Sequence, residues 1–185
     1  MPEIKDSDFT WKEFIGVNNS DLVGLFGNLV NRVLTFANKN FEGCIPKGKL
    51  ENEFKNKIFN LYCEVGDKIE EGRFKSALES VFSMVKMANK FFDDEKPWIS
   101  IKKDKEKCAQ SIYICIQFIA NLSNLIEPFM PFTSKKIRGF LELKNPVWMP
   151  IEVKDGKINN IEILFEKIDK EKINEEIERL KQKKY

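Results

Sequence analysis

The sequence predicts an all-α fold, an antiparallel bundle of four to five main helices followed by a C-terminal helix, and three observations predict it. Apolar residues recur every three to four positions through four long segments, which is the period of a helix with one buried stripe. Recognisable starts and stops bound those segments. No strand-rich region, internal repeat or low-complexity linker interrupts them.

The first helix opens at Thr10-Trp11-Lys12-Glu13, which fits a capping box with the hydroxyl at the N-cap and the carboxylate three residues on. It runs to about Phe41, with Gly43 as its stop and Pro46 beyond. Leu22, Phe26, Leu29, Val33 and Phe36 form its stripe, and the weak helix formers Asn18, Asn19 and Ser20 predict a kink or break. A second helix is expected from about Glu51 to Glu71 on Phe54, Ile58, Leu61, Val65 and Ile69, closed by Gly72. A third spans about Arg73 to Phe92 and a fourth about Asp104 to Glu127, where Pro128 ends it. Short joints make neighbouring helices antiparallel. A shorter helix at about Thr133 to Leu141, an irregular stretch and a final helix at about Lys170 to Lys183 complete the chain. The organisation expected is a lead-in at 1–9, a bundle at 10–142, and a segment at 143–185 that packs back on the bundle.

Composition bounds the function. With 185 residues, 42% hydrophobic and 32% charged, the chain has enough apolar surface for one real core. No apolar run is long enough to span a membrane and the N-terminus lacks a signal-peptide pattern, so a cytoplasmic chain is expected. A net charge of +2 does not by itself argue for nucleic acid. The absence of histidine removes the commonest general base and a favoured metal ligand. The four cysteines form no CxxC pair and read as reduced thiols. There is no phosphate-binding glycine loop, and serine or cysteine nucleophiles lack a histidine partner. Neither a catalytic centre, a cofactor site nor a metal site is expected.

Two places carry a sharper signal. On the first helix, Asn28, Arg32, Thr35 and Lys39 fall within an arc of roughly 60°. They form a narrow polar strip on a largely apolar rod. Such a strip reads either as a solvent-facing or hydrogen-bonded surface, or as a recognition strip. An amide donates and accepts, and a guanidinium offers several donors in a fork, so the pair can read the edge of an unstacked base. The second place is the joint around Pro97-Trp98, surrounded by Lys96, Lys102, Lys103, Lys105 and Lys107. A tryptophan among cations suits base stacking with phosphates nearby; the alternative is a plug in the bundle end ringed by solubilising charge.

Together these residues resemble the anticodon-binding domain of methionyl-tRNA synthetase. The resemblance lies in "DFTWKEF", in "NNSDLVGLFGNLVNRVLTFANKNFEGCIP" with its Asn-x-x-x-Arg pair, in "ANKFFDDEKPW", in "LIEPFMPFTSKKI" and in "ILFEKID", all in family order. It implies that Trp98 stacks on an unstacked base of a CAU anticodon, that Asn28 and Arg32 hydrogen-bond base edges, and that Pro97 stiffens the turn holding the tryptophan. Lys39, Lys96 and Lys102 are candidate phosphate contacts. The family's histidine-bearing signature, its KMSKS-like loop and its zinc-binding insertion have no counterpart here. The chain therefore resembles a non-catalytic fragment of the larger ligase, with ATP and any zinc expected only in the absent catalytic domain. The partners implied are the anticodon loop of tRNA(Met) and that catalytic domain. Two other readings are the equivalent domain of a cysteine or isoleucine synthetase, and a helical protein-interaction bundle without affinity for RNA.

Overall fold

The structure is a computed structural model that describes residues 8–169 and 171–182. The described residues are helical throughout the bundle, with one isolated bridge between Cys44 and Lys157. The first rod comprises α1 (Trp11–Val17), a π-helical segment (Asn18–Gly27) and α2 (Asn28–Asn40). Then come α3 (Asn52–Glu70), α4 (Phe74–Glu95), α5 (Pro97–Lys103), α6 (Lys105–Leu125), α7 (Pro131–Phe140) and α8 (Glu171–Gln182). Residues 1–7 of the expected lead-in, together with Lys170 and the 183–185 tail, lie outside the described residues.

The rod starts as expected. The Thr10 hydroxyl oxygen accepts from the Glu13 backbone N–H at 3.2 Å and its O–H donates to the Glu13 carboxylate at 2.9 Å. At Asn18 the structure departs from the expected kink or break: the helix continues, widened to π geometry, and the Asn28 N–H reaches back five residues to the Val23 carbonyl. The asparagines that weaken helix propensity are used elsewhere. Asn19 grips the extended backbone of Ile168 at both ends, its amide N–H donating to the carbonyl and its oxygen accepting from the N–H, each at 2.9 Å. Asn18 donates to the Glu166 carbonyl at 3.2 Å. Gly27 serves the same wide turn. A Cβ there would stand 3.1 Å from the Leu22 carbonyl oxygen and 3.2 Å from the Phe165 ring.

The core is organised around α6. Cys108 and every residue from Ser111 to Leu125 are buried, because α2, α3, α4, α5 and α7 pack around this helix and the extended chain after α7 covers its remaining face. Buried amides on that face act as a substitute strand. Gln117 pairs with the Val153 backbone at 2.8 and 2.7 Å, and Asn121 with the Ile151 backbone at 2.9 Å in both directions. One turn apart on the helix, the two amides match backbone units two residues apart on the extended chain. Gln110 holds the Lys49 backbone in the same way, at 2.9 and 2.7 Å. In α8, by contrast, no described residue is buried, and Leu180 is 53% exposed.

The expected joint between the third and fourth helices is itself helical. α4 runs three residues past Phe92 to Glu95 and ends at Lys96, whose φ of 45° and ψ of 59° are left-handed. Pro97 then occupies the first position of α5, where a missing N–H costs nothing, and the Lys96 carbonyl accepts from Ile99 at 2.8 Å. Asp104 ends α5 and caps α6 by accepting from the Lys107 N–H at 2.9 Å. The left-handed corner turns the chain sharply enough to lay Trp98 back against the end of α4. Lys96→Val, which places a β-branched residue in that corner, is expected to lower stability by about 1–3 kcal/mol. Thermal denaturation checks this, with Lys96→Asn tolerated because asparagine enters the left-handed region more readily.

Candidate nucleic-acid interface

Arg32 sits on α2 in the polar strip the sequence predicts, with a side chain 34% exposed. Its guanidinium donates to the Asp93 carboxylate at 2.7 Å. It also lies 4.8 Å from the centre of the Phe92 ring and 5.9 Å from that of Trp98. The Phe92 and Trp98 rings are 5.9 Å apart and tilted by 55°. Residues 32 and 98 are far apart in sequence, and the end of α4 and the left-handed corner bring them together. Trp98 is 43% exposed, which leaves much of the indole open to solvent.

The surroundings hold these groups from below. Pro97 is buried, and its carbonyl accepts from the Cys108 thiol at 3.6 Å and the Ser100 hydroxyl at 3.5 Å. Burial raises the Cys108 thiol above its ordinary range, so it stays a protonated donor. Beneath the corner, the Ser111 hydroxyl donates to Glu95 at 2.8 Å. Phe36, one turn past Arg32 on α2, meets the Phe92 ring edge-on with centroids 6.4 Å apart.

The other candidates are placed differently. Asn28 is exposed one turn before Arg32 on the same helical face, and its amide makes no hydrogen bond among the described residues. Lys39 is exposed about two turns beyond Arg32, and Lys96 and Lys102 are exposed at the two ends of α5. No hydrogen bond, ion pair or ring contact joins Asn28 or these lysines to the Arg32–Trp98 pair among the described residues. The geometry therefore assembles Arg32, Trp98 and Pro97 and leaves Asn28 free beside them. It also brings in Phe92 and Asp93, to which the sequence reading gave no role. In the sequence Phe92 is the last residue of the third expected helix, and Asp93 is one of several charges before Pro97.

Chemically the arrangement is an aromatic face beside a fork of N–H donors. One donor is engaged by Asp93, and the guanidinium lies over the Phe92 ring. It suits a flat, polar-edged ligand. Among the described residues no group of three or more histidine, cysteine, aspartate or glutamate side chains could hold a metal ion. The four cysteines are free thiols, two exposed and two buried.

The sequence pattern described as the anticodon binding domain of methionyl tRNA ligase matches residues 44–184. The chain belongs to this family. A second pattern, tRNA synthetases class I (M), matches residues 1–34, so Asn28 and Arg32 fall in one match and Trp98 in the other. Methionine–tRNA ligases of Bacillus cereus and Bacillus anthracis are each 46% identical over 179 residues, which is 97% of this chain and 33% of theirs. The chain thus spans about a third of the length of the curated relatives it matches. The apo crystal structure of Mycobacterium tuberculosis methionyl-tRNA synthetase superposes with a TM-score of 0.80 at 22% identity, covering 87% of this chain and 35% of that one. The methionyl-adenylate-bound form gives 0.77, covering 85% and 34%. These establish the bundle as this family's fold. Membership of the methionyl family sets aside the cysteine and isoleucine synthetase readings.

Proposed function

We propose that this chain is the part of a methionine–tRNA ligase that reads the CAU anticodon of tRNA(Met). In the full-length protein it would help attach methionine to that tRNA using ATP. The observation that carries the proposal is the meeting of the Arg32 guanidinium and the half-exposed Trp98 indole, 5.9 Å apart, beside the end of α4. Trp98 stacks on an unstacked anticodon base, and Arg32 and Asn28 hydrogen-bond base edges. Pro97 fixes the first residue of α5, and Lys39, Lys96 and Lys102 meet phosphates. The mechanism is binding, not bond making. Correct placement of the anticodon loop sets where the acceptor end lies, so selectivity gained here is expressed at a distant catalytic site. That catalytic domain, with its ATP and any zinc, belongs to the remaining two thirds of the ligase and is this chain's other partner. A cytoplasmic location follows from this role. Among the described residues no helix is long and apolar enough to cross a membrane.

Hairpin RNAs with seven-residue loops, carrying CAU or single-base variants of it, test the proposal by titration. The CAU hairpin is expected to bind about 10-fold or more tighter than variants, since a lost base-edge pairing costs about 1–3 kcal/mol. Arg32→Gln is expected to narrow that margin. Equal weak binding to all hairpins reduces the interface to unspecific charge, and no binding at low salt favours a protein-interaction bundle.

A further inference from the structure

Arg32 and Trp98 come from different helices, and Asp93 tethers only the guanidinium, at 2.7 Å. Arg32 is a flexible side chain on the outside of α2, and Trp98 is half-exposed on a seven-residue helix. One residue touches both. The Phe92 ring is 3% exposed, carries the Arg32 guanidinium over it at 4.8 Å, and meets Trp98 at 5.9 Å. Phe36, from the same α2 face as Arg32, meets it edge-on at 6.4 Å and 85°. Phe92 thus packs between the rod and the corner.

Building on the reading above, we propose that Phe92 is a positioning residue for anticodon recognition. Its buried ring is the shared floor that sets the guanidinium and the indole at the separation a base requires. It does not touch the RNA. It acts through the other two, by holding the guanidinium over its face and by fixing the tilt of the indole. Two consequences follow. Removing the ring weakens RNA binding although no RNA contact is lost. And the loss shrinks when one of the two groups it positions is already gone.

The test is a double-mutant cycle in the full-length chain, read by the dissociation constant for the CAU hairpin. Phe92→Leu keeps the apolar fill and removes the ring face; Phe92→Met does the same with a more adaptable side chain, in case leucine packs poorly. Each is expected to weaken binding about fivefold, the size of a partly desolvated cation–ring contact. Combined with Arg32→Gln, either is expected to cost only about twofold, less than in the wild-type background, because the indole alone is left to position. Losses that multiply independently in the double variant, or wild-type affinity in both Phe92 variants, overturn the proposal. If Arg32→Gln and Trp98→Ala themselves bind like wild type, it is the anticodon-reading assignment that fails, a result distinct from either of those.

Discussion

Replacing Trp98 by alanine is expected to cost about 10- to 100-fold in affinity for the CAU hairpin, the range that alanine substitution of a base-stacking aromatic produces. The fold should survive. The indole is 43% exposed, and its ring contact among the described residues is with Phe92, apart from the Arg32 guanidinium beside it. The buried part of this corner is Pro97 and Phe92, both of which remain. Thermal denaturation should therefore move by only a few degrees, consistent with a loss of roughly 1 kcal/mol in a chain of this size. Binding and melting measured on the same preparation separate the two roles. A large affinity loss with a small melting shift identifies a stacking residue. A melting temperature that collapses along with affinity identifies a plug for the bundle end. Trp98→Phe should recover much of the binding, because a smaller aromatic face still stacks.

Asn121→Leu is expected to have the largest effect on stability. The Asn121 amide satisfies both backbone groups of Ile151, donates to the Gln117 carbonyl at 2.9 Å and accepts from the Tyr62 hydroxyl at 3.2 Å. A leucine of similar size fills the space and leaves the Ile151 N–H and carbonyl without their partners in a half-buried region, while the Tyr62 hydroxyl keeps the Asn121 backbone carbonyl at 3.4 Å. At about 1–3 kcal/mol for each unsatisfied buried group, partly relieved by relaxation, the loss is about 3–5 kcal/mol. That lowers the melting temperature by roughly 10 °C or more. Gln110→Leu, at the half-exposed clamp on Lys49, should cost about 1 kcal/mol, since water replaces the amide there. Near-equal melting of the two variants would show that the α6 amides do not hold the extended chain in place.

The contrast between these residues explains what the sequence reveals. Helix spacing made the bundle legible, because each apolar stripe marks a face that some other element must cover. Thr10, Gly72 and Asp104 mark real boundaries through local hydrogen bonding or a left-handed turn. The extended chain after α7 was illegible because it has no periodicity of its own. Gln117 and Asn121, buried amides on an otherwise apolar helix, order it from a distance. The only hint was their presence at positions where the pattern called for hydrocarbon. Asn18 and Asn19 misled in the same way: local propensity predicted a break, whereas contacts to Glu166 and Ile168 turn it into a widened helix. At the candidate interface, side-chain chemistry and family order single out Asn28, Arg32, Pro97 and Trp98. They do not single out Phe92, since nothing about a stripe phenylalanine announces that it sits beneath two groups from different helices. After α7, hydrogen bonds to the bundle hold the chain at Ile151, Val153 and Ile168.

The account rests on one spatial claim, that the Trp98 indole and the Arg32 guanidinium face the same bound base. Nuclear Overhauser contacts between protein side chains and a CAU hairpin, with the Trp98 ring and the Arg32 guanidinium selectively labelled, measure it directly. The account predicts contacts from both groups to protons of one anticodon nucleotide, absent when the anticodon is changed. Contacts confined to the loop backbone, or to Trp148 and surface lysines with Trp98 untouched, would contradict it.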